Sequence, residues 1–258
     1  MNEFFEAARD AALAAGALLR DAVGGTREVS YKGEINLVTE MDRRSERTVV
    51  GLLQGKFPDH GFVAEEETSV RTDAEHRWII DPLDGTTNYA HGYPNFAVSI
   101  ALERRGEIIV GVVYDPMRDE LFSAEKGKGA MLNGRPILVS EADRLIRALL
   151  ATGFPYDRAT SEKNNLNYFR ALLMASQEVR RSGSASLDLC AVAAGRLDGY
   201  WELKLHPWDV AAGSLIVSEA GGKVSDFTGT RFSIHDKEIL ASNGRIHEQM
   251  IGIIRDVK

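Results

Sequence analysis

The chain has 258 residues, 44% hydrophobic and 27% charged, with a net charge of −7 from 31 basic and 38 acidic residues. That length suits one large domain or two modest ones with a substantial core, no apolar run reaches membrane-spanning length, and the acidic balance argues against nucleic acid as a main partner. The single cysteine, Cys190, excludes an intrachain disulfide and a cysteine-built zinc cluster, and Met-Asn-Glu-Phe-Phe-Glu at the start has no signal-peptide character, so a cytoplasmic location is the default expectation.

Residues 3–23 place Phe5, Ala8, Ala12, Ala15, Leu19 and Ala22 at the rhythm of an amphipathic helix, closed by Gly24-Gly25. A short strand is expected at 27–31. A second helix is expected from Thr39 to about Phe57, with Ser45, Val49, Leu52 and Leu53 inward and Pro58 as its stop. Gly61-Phe62-Val63-Ala64 is a short apolar run ending in Glu65-Glu66-Glu67, and Trp78-Ile79-Ile80 reads as a buried strand ending at Asp81. Strand-like runs at 96–102, 107–114, 120–124 and 129–132, separated by turn residues, predict an antiparallel meander. From about residue 146 the pattern alternates. Strands are expected at 148–152, 178–181, 197–202, 223–225 and 239–242, and helices at about 160–175, 184–195, 208–220 and 245–257. The texture is α/β, with two subdomains of about 1–145 and 146–258, and such a junction is a favoured place for a small-molecule site.

Residues 78–88, Trp-Ile-Ile-Asp-Pro-Leu-Asp-Gly-Thr-Thr-Asn, carry the chemistry. Asp81 and Asp84, three apart after an apolar strand, point into a common space and raise each other's pKa unless a cation neutralises them. A divalent metal on hard oxygen ligands is the economical explanation. Pro82 stiffens the link, Gly85 lets backbone approach a ligand, and a helix opening near Thr86 would present N–H groups suited to phosphate. The plain alternative is a surface turn.

Other acids have two readings each. Glu65 follows an apolar run as Asp81 does, and acids at the carboxyl ends of neighbouring strands share a crevice; otherwise 65–67 is a solvated charged loop. Asp42, three residues after Thr39, reciprocates a helix cap or serves the site. Asp209, in His206-Pro207-Trp208-Asp209, complements a helix dipole or is a rigidly held metal ligand. Ser184, in the turn at 181–186, caps a helix or helps bind substrate oxygens, and Glu202 ends a strand four residues before His206.

Taken together, these residues resemble the inositol monophosphatase family, within the metal-dependent, lithium-sensitive sugar phosphatase superfamily. The likeness spans essentially the whole chain. Its signatures are Trp78 to Asn88, Trp208-Asp209-Val210-Ala211-Ala212-Gly213 through Glu219-Ala220-Gly221-Gly222, Asn36-Leu37-Val38-Thr39 through Asp42, and Val63-Ala64-Glu65-Glu66, with Ala64 where the family usually has glycine. The resemblance implies an alternating α-β-α-β-α sandwich and two to three Mg²⁺ per site. Glu65, Asp81, Asp84, Asp209 and the Leu83 carbonyl would hold the metal. Thr86, with Glu65 and supported by Asp42, would position and deprotonate the attacking water. Gly85 and Thr86 would hold the phosphate, and Gly183, Ser184, Ala185 and Glu202 would contact the polyol, with Asp84 and Asp209 also facing substrate. Lys32 matches a lysine near the site. The implied activity is hydrolysis of inositol monophosphate or a related sugar phosphate, with fructose bisphosphatase or another small phosphate-ester phosphatase (of histidinol phosphate or phosphoadenosine phosphate) on the same site, or a regulatory module binding RNA polymerase or RNA, as alternatives. A homodimer and lithium sensitivity are expected on the same ground. An aspartyl-phosphate route is disfavoured because Pro82 stands where the partner acid of Asp84 should be.

Overall fold

The computed structural model describes residues 2–23, 29–31 and 37–257. Helix α1 (Glu3–Ala22) opens at Asn2, whose side chain accepts the Phe4 N–H at 3.2 Å. Its small residues let it lie close on a sheet: Ala7, Ala8, Ala11, Ala12 and Ala15 are buried along with Phe5 and Leu19. Strands β1 (Val29–Tyr31) and β2 (Leu37–Thr39) pair antiparallel. The first meets the end of the strand expected at 27–31; the second had no sequence signal. Gly24-Gly25, Lys32 and Asn36 lie outside the described residues. Helix α2 (Glu40–Lys56) buries Asp42, Ser45, Glu46, Val49 and Leu53. Leu52, expected inward, is 45% exposed; it sits 100° around the helix from Leu53, which takes the inward place.

Strands β3 (Gly61–Ala64), β4 (Ser69–Val70) and β5 (His76–Asp84), then helix α3 (Thr86–His91), lead into the meander. That meander comprises β6 (Ala97–Arg104), β7 (Glu107–Asp115), β8 (Glu120–Glu125), β9 (Ala130–Leu132) and β10 (Arg135–Ile137). Together they form an eight-stranded sheet in the order β10-β9-β8-β7-β6-β5-β3-β4. Only β3 and β5 run parallel in it. β5 does not end at Asp81 as expected but continues to Asp84 past a register shift between those two residues. Pro82 has no N–H to give the ladder, so the strand yields there.

Strands β11 (Leu149–Thr152), β12 (Glu178–Arg180), β13 (Gly199–Leu203), β14 (Lys223–Ser225) and β15 (Glu238–Ser242) form a second sheet in the order β12-β11-β13-β15-β14. Helices α4 (Leu166–Ala175), α5 (Ala185–Ala193), α6 (Pro207–Glu219) and α7 (His247–Arg255) accompany it. α4 starts later than the pattern at 160–175 predicted; Asn165 stands at its start with φ +72°.

Side-chain alternation then sets the layers. Val98, Ile100 and Leu102 of β6 join Trp78, Ile80, Val110 and Val112 in a core with α1 and α2. Ala97 and Ala101, on the opposite face, join Ile79 and Val113 in a core with α5 and α6. The far side of α5 and α6 reaches Ala151, Tyr200, Ile239 and Ala241 of the second sheet, whose other face packs Leu150, Trp201 and Leu240 on α4 and α7. The result is the five-layer α-β-α-β-α sandwich. Gly111 of β7 lets α6 settle on the sheet, since a Cβ there would lie 2.8 Å from the Ala212 carbonyl oxygen. No helix among the described residues is long and apolar enough to cross a membrane.

Candidate active site

A cleft of about 940 Å³ opens where β5, α3, α5, the end of β13 and the start of α6 meet. Glu65, Asp81, Leu83, Asp84, Gly85, Thr86, Gly183, Ser184, Ala185, Glu202 and Asp209 all border it. Folding thus gathers residues more than a hundred positions apart, and of the expected site residues that are described only Asp42 stands behind the surface rather than on it.

The acids converge for a reason visible in the register. Ala64 of β3 lies opposite Ile80 of β5 in a parallel pair, so Glu65 and Asp81 leave neighbouring strands at the same level. The Glu65 N–H donates to the Ile80 carbonyl at 3.2 Å, fixing that relation. Asp81 is buried, and its Oδ1 accepts the Leu83 N–H at 3.0 Å. Burial first, then the carboxylates of Glu65, Asp84 and Asp209, push its pKa well above the usual range. Asp209, in the first turn of α6, accepts the His206 N–H at 2.7 Å and is raised by burial and then by Glu65. So it both caps its helix and faces the cluster.

Asp84 is held from the opposite side. Its Oδ2 accepts the Ser184 hydroxyl at 2.6 Å, the Ser186 N–H at 2.8 Å and the Ser186 hydroxyl at 2.5 Å. Burial raises this carboxyl, while those donors at the start of α5 pull it back down. Ser184 also caps α5 through the Leu187 N–H at 3.4 Å, as its capping reading expects.

Carboxylates that raise one another's pKa fit a site completed by a hard divalent cation, which would replace mutual repulsion with attraction. Among the described residues no three His, Cys, Asp or Glu side chains are gathered into a ready-made metal cage. The acids line the cleft with one oxygen each of Asp81, Asp84 and Asp209 tied to a neighbouring donor.

Behind this wall, α2 presents a buried polar face. Asp42 accepts the Thr86 hydroxyl at 2.9 Å, a hydroxyl that also lies 3.1 Å from the Leu83 carbonyl. Ser45 donates to the Pro82 carbonyl at 2.6 Å. Glu46 was missed in the sequence. It accepts the N–H groups of Glu66, Glu67 and Thr68 at 2.8, 3.0 and 2.8 Å and the Thr68 hydroxyl at 2.7 Å. It therefore shapes the loop that carries Glu65. The available signal was its position one turn after Asp42 on the same inward face.

The opposite wall is built differently. Glu202, at the end of β13, accepts the Tyr200 hydroxyl, and burial pushes its carboxyl up to about 7. It lies against Gly153, where a Cβ would stand 2.2 Å from either carboxylate oxygen. Asp188 of α5, also unforeseen, accepts the Ser182 hydroxyl at 2.6 Å and is raised by burial. Asn88 donates to the carbonyls of Asn95 at 2.7 Å and Ser182 at 2.9 Å, which ties the two walls together. Gly183 has φ +92°, and a Cβ there would meet Asn88 Nδ2 at 2.7 Å.

The chain matches the model of the inositol monophosphatase family over residues 1–258. It is 46% identical to an inositol-1-monophosphatase of a Synechocystis species over 252 residues, 97% of this chain and 88% of that one. It is 45% identical to the Nus factor SuhB of Pseudomonas aeruginosa over 232 residues, 88% of this chain and 86% of that one. Among solved structures, an inositol monophosphatase from Anabaena superposes with a TM-score of 0.91 at 46% identity, covering 99% of this chain and 96% of that one.

Proposed function

From the chain's place in the inositol monophosphatase family, to which it belongs, we propose that it is a magnesium-dependent phosphomonoesterase that releases phosphate from inositol monophosphate or a related sugar phosphate. The observation that carries this reading is the set of four acids from separate elements, Glu65, Asp81, Asp84 and Asp209, bordering one cleft. Those acids and the Leu83 carbonyl would hold two to three Mg²⁺. Bound magnesium supplies charge neutralisation and lowers the pKa of water.

The chain's own residues do the rest. Thr86 donates a hydrogen bond from its hydroxyl to Asp42, which leaves its lone pairs to accept a hydrogen bond from the attacking water. Glu65 takes the water proton as the water oxygen bonds to phosphorus, the phosphorus–oxygen bond to the polyol breaks, and the leaving alkoxide takes a proton from solvent water. Gly85 and Thr86 offer backbone N–H groups to the phosphate at the start of α3. Positioning and charge neutralisation are what phosphoryl transfer chiefly needs. Gly183, Ser184, Ala185 and Glu202 contact the leaving polyol. Inhibition by lithium, a homodimer and a cytoplasmic location accompany this reading.

A panel of phosphate esters, assayed with magnesium and after chelation, tests it. The expected result is chelator-sensitive hydrolysis with inositol 1-phosphate among the best substrates. Equal rates on all esters, or best turnover of fructose bisphosphate, would remove the inositol assignment. A regulatory role is favoured by the SuhB name of a 45% identical relative, and it predicts a cellular phenotype that survives Asp81→Asn.

A further inference from the structure

Residues 154–164 form an irregular segment along the cleft, opposite the carboxylates, and 154–158 line the cleft itself. Two non-glycine residues in the left-handed region bracket the segment, Asn165 with φ +72° and Lys204 with φ +60°. Asn165 closes its base. Its Nδ2 donates to Thr152 Oγ1 at 2.8 Å and to the Gly153 carbonyl at 2.6 Å, and its Oδ1 accepts Trp201 Nε1–H at 2.8 Å. Within the segment, the Asp157 carbonyl accepts the N–H groups of Thr160 at 3.0 Å and Ser161 at 2.9 Å, and Arg158 N–H donates to the Pro155 carbonyl at 3.1 Å. Tyr156 lines the cleft within the field of the opposite acids: burial first, then the Glu65 and Asp84 carboxylates, raise its pKa.

Lys204 is the first residue past β13, and glycine would hold its backbone conformation more easily. What lysine brings is its ammonium group, which bonds Asp157 Oδ2 at 2.6 Å and Ser161 Oγ at 2.8 Å. A left-handed lysine whose side chain ends on the cleft-lining segment is hard to explain as packing alone.

We propose that Lys204 is a positioning residue that clasps segment 154–164 against the cleft and so sets the size of leaving alcohol the site accepts. The choice of leaving alcohol rests on the phosphatase reading above; the clasp does not. With the segment held, Tyr156 and Arg158 form a fixed wall facing the acids, and a polyol must fit between them. The ion pair is partly open to solvent, with side chains 31% and 49% exposed. The clasp is therefore sensitive to salt.

The test compares the full chain with Lys204→Gly, Lys204→Met and Lys204→Arg. Hydrogen exchange is read first, without metal, at the amides of Arg158, Thr160 and Ser161. Exchange should quicken in the Gly and Met variants, stay near the parent in the Arg variant, and quicken in the parent at 1 M salt. The Gly variant should not melt lower, because its backbone strain is relieved. Unchanged exchange at all three amides, or a fall in Tm of the Gly variant matched by faster exchange throughout the chain, overturns the clasp. Activity is read second. The ratio of kcat/KM for inositol 1-phosphate to that for p-nitrophenyl phosphate should fall about threefold in the Gly variant; faster exchange with an unchanged ratio overturns the specificity role. A parent protein that hydrolyses neither ester defeats the phosphatase reading, while exchange still decides the clasp.

Discussion

On one side of the cleft, Glu65, Asp81 and Asp84 leave two adjacent strands, and a helix behind them fastens their backbone at several points. On the other side, Glu202, Asp188, Tyr156 and Lys204 come from a strand end, a helix, an irregular segment and a left-handed turn, with Glu202 and Asp188 each held by one hydroxyl and Lys204 by two acceptors. The first wall concentrates like charge and withstands it through dense support: Ser45 on Pro82, Asp42 on Thr86, Glu46 on four donors of the 66–68 loop. The second wall buries its acids singly and satisfies them with hydroxyls of Tyr200 and Ser182. On the proposed reading, the wall that would hold cations is the densely supported one. On the same reading, the wall that would select the alcohol is assembled from separately replaceable parts.

Asp81→Asn breaks the comparison most severely. Removing this carboxylate should cut hydrolysis by at least about 10²-fold, the scale for losing one preorganised electrostatic group. The same change should raise the melting temperature of the metal-free protein, because the Asp81 carboxylate is opposed by burial and three neighbouring acids. Activity and stability moving in opposite directions is the signature of a cluster kept for binding. If both fall, Asp81 is structural.

Glu46→Gln tests the support behind that wall. An amide in place of the carboxylate leaves an NH₂ group facing backbone donors. Losing part of a charge-assisted set costs about 2–3 kcal/mol, or a fall in Tm of roughly 5–10 °C for a chain of this size. Activity should fall as well through displacement of the Glu65 loop, with kcat affected more than KM. A variant that melts lower with kcat intact would separate the loop from catalysis.

On the second wall, Glu202→Gln should raise KM for inositol phosphate about tenfold, the scale of one charge-assisted hydrogen bond, with little change in kcat. Because its carboxyl is pushed up to about 7, the parent should bind polyol more tightly above that pH than below it. The Gln variant should lose that pH dependence. A pH profile of KM shared by both proteins would assign the titration elsewhere.

The difference between the walls also explains what the sequence disclosed. Asp81, Pro82, Leu83, Asp84, Gly85 and Thr86 are contiguous, so the meeting of the two acids was legible as spacing, and the parallel pairing of two apolar runs carried Glu65 beside them. The α/β texture was legible because runs with strand and helix periods alternate along the chain, whereas the five-layer sandwich was expected only from the family resemblance. Glu46 and Asp188 were not legible, since a buried acid on a helix looks like any surface acid until its partner loop is placed. β4 and β10 are two- and three-residue strands with no periodicity to read. The extension of β5 through Pro82 ran against proline's usual exclusion from strands and needed the bulge to be possible. Leu52 and Leu53 are adjacent, so composition could not say which faces inward.

The smallest effect at neutral pH comes from a group outside both walls, and it supplies the control for them. His247 is buried between the Ser225 hydroxyl at 2.9 Å and the Ser242 hydroxyl at 2.8 Å. Burial first, then Lys223, lowers its pKa to about 4, with Glu248 opposing. A group whose folded pKa lies below its unfolded value adds stability above the unfolded pKa, near 6.5, and loses it as pH falls towards 4. The loss should reach about 2–3 kcal/mol at the acid end. Asp81 has the opposite sign: its folded pKa is raised, so the folded metal-free protein gains relative stability as protons bind that carboxyl. Melting curves in chelator from pH 7 to 4 should therefore show His247→Gln with a flatter acid limb than the parent, and Asp81→Asn with a steeper one. If both variants tilt the same way, the acid response does not divide between the cleft and the α7 side of the second sheet, and the contrast between charge held for a ligand and charge avoided for the fold fails at this pair.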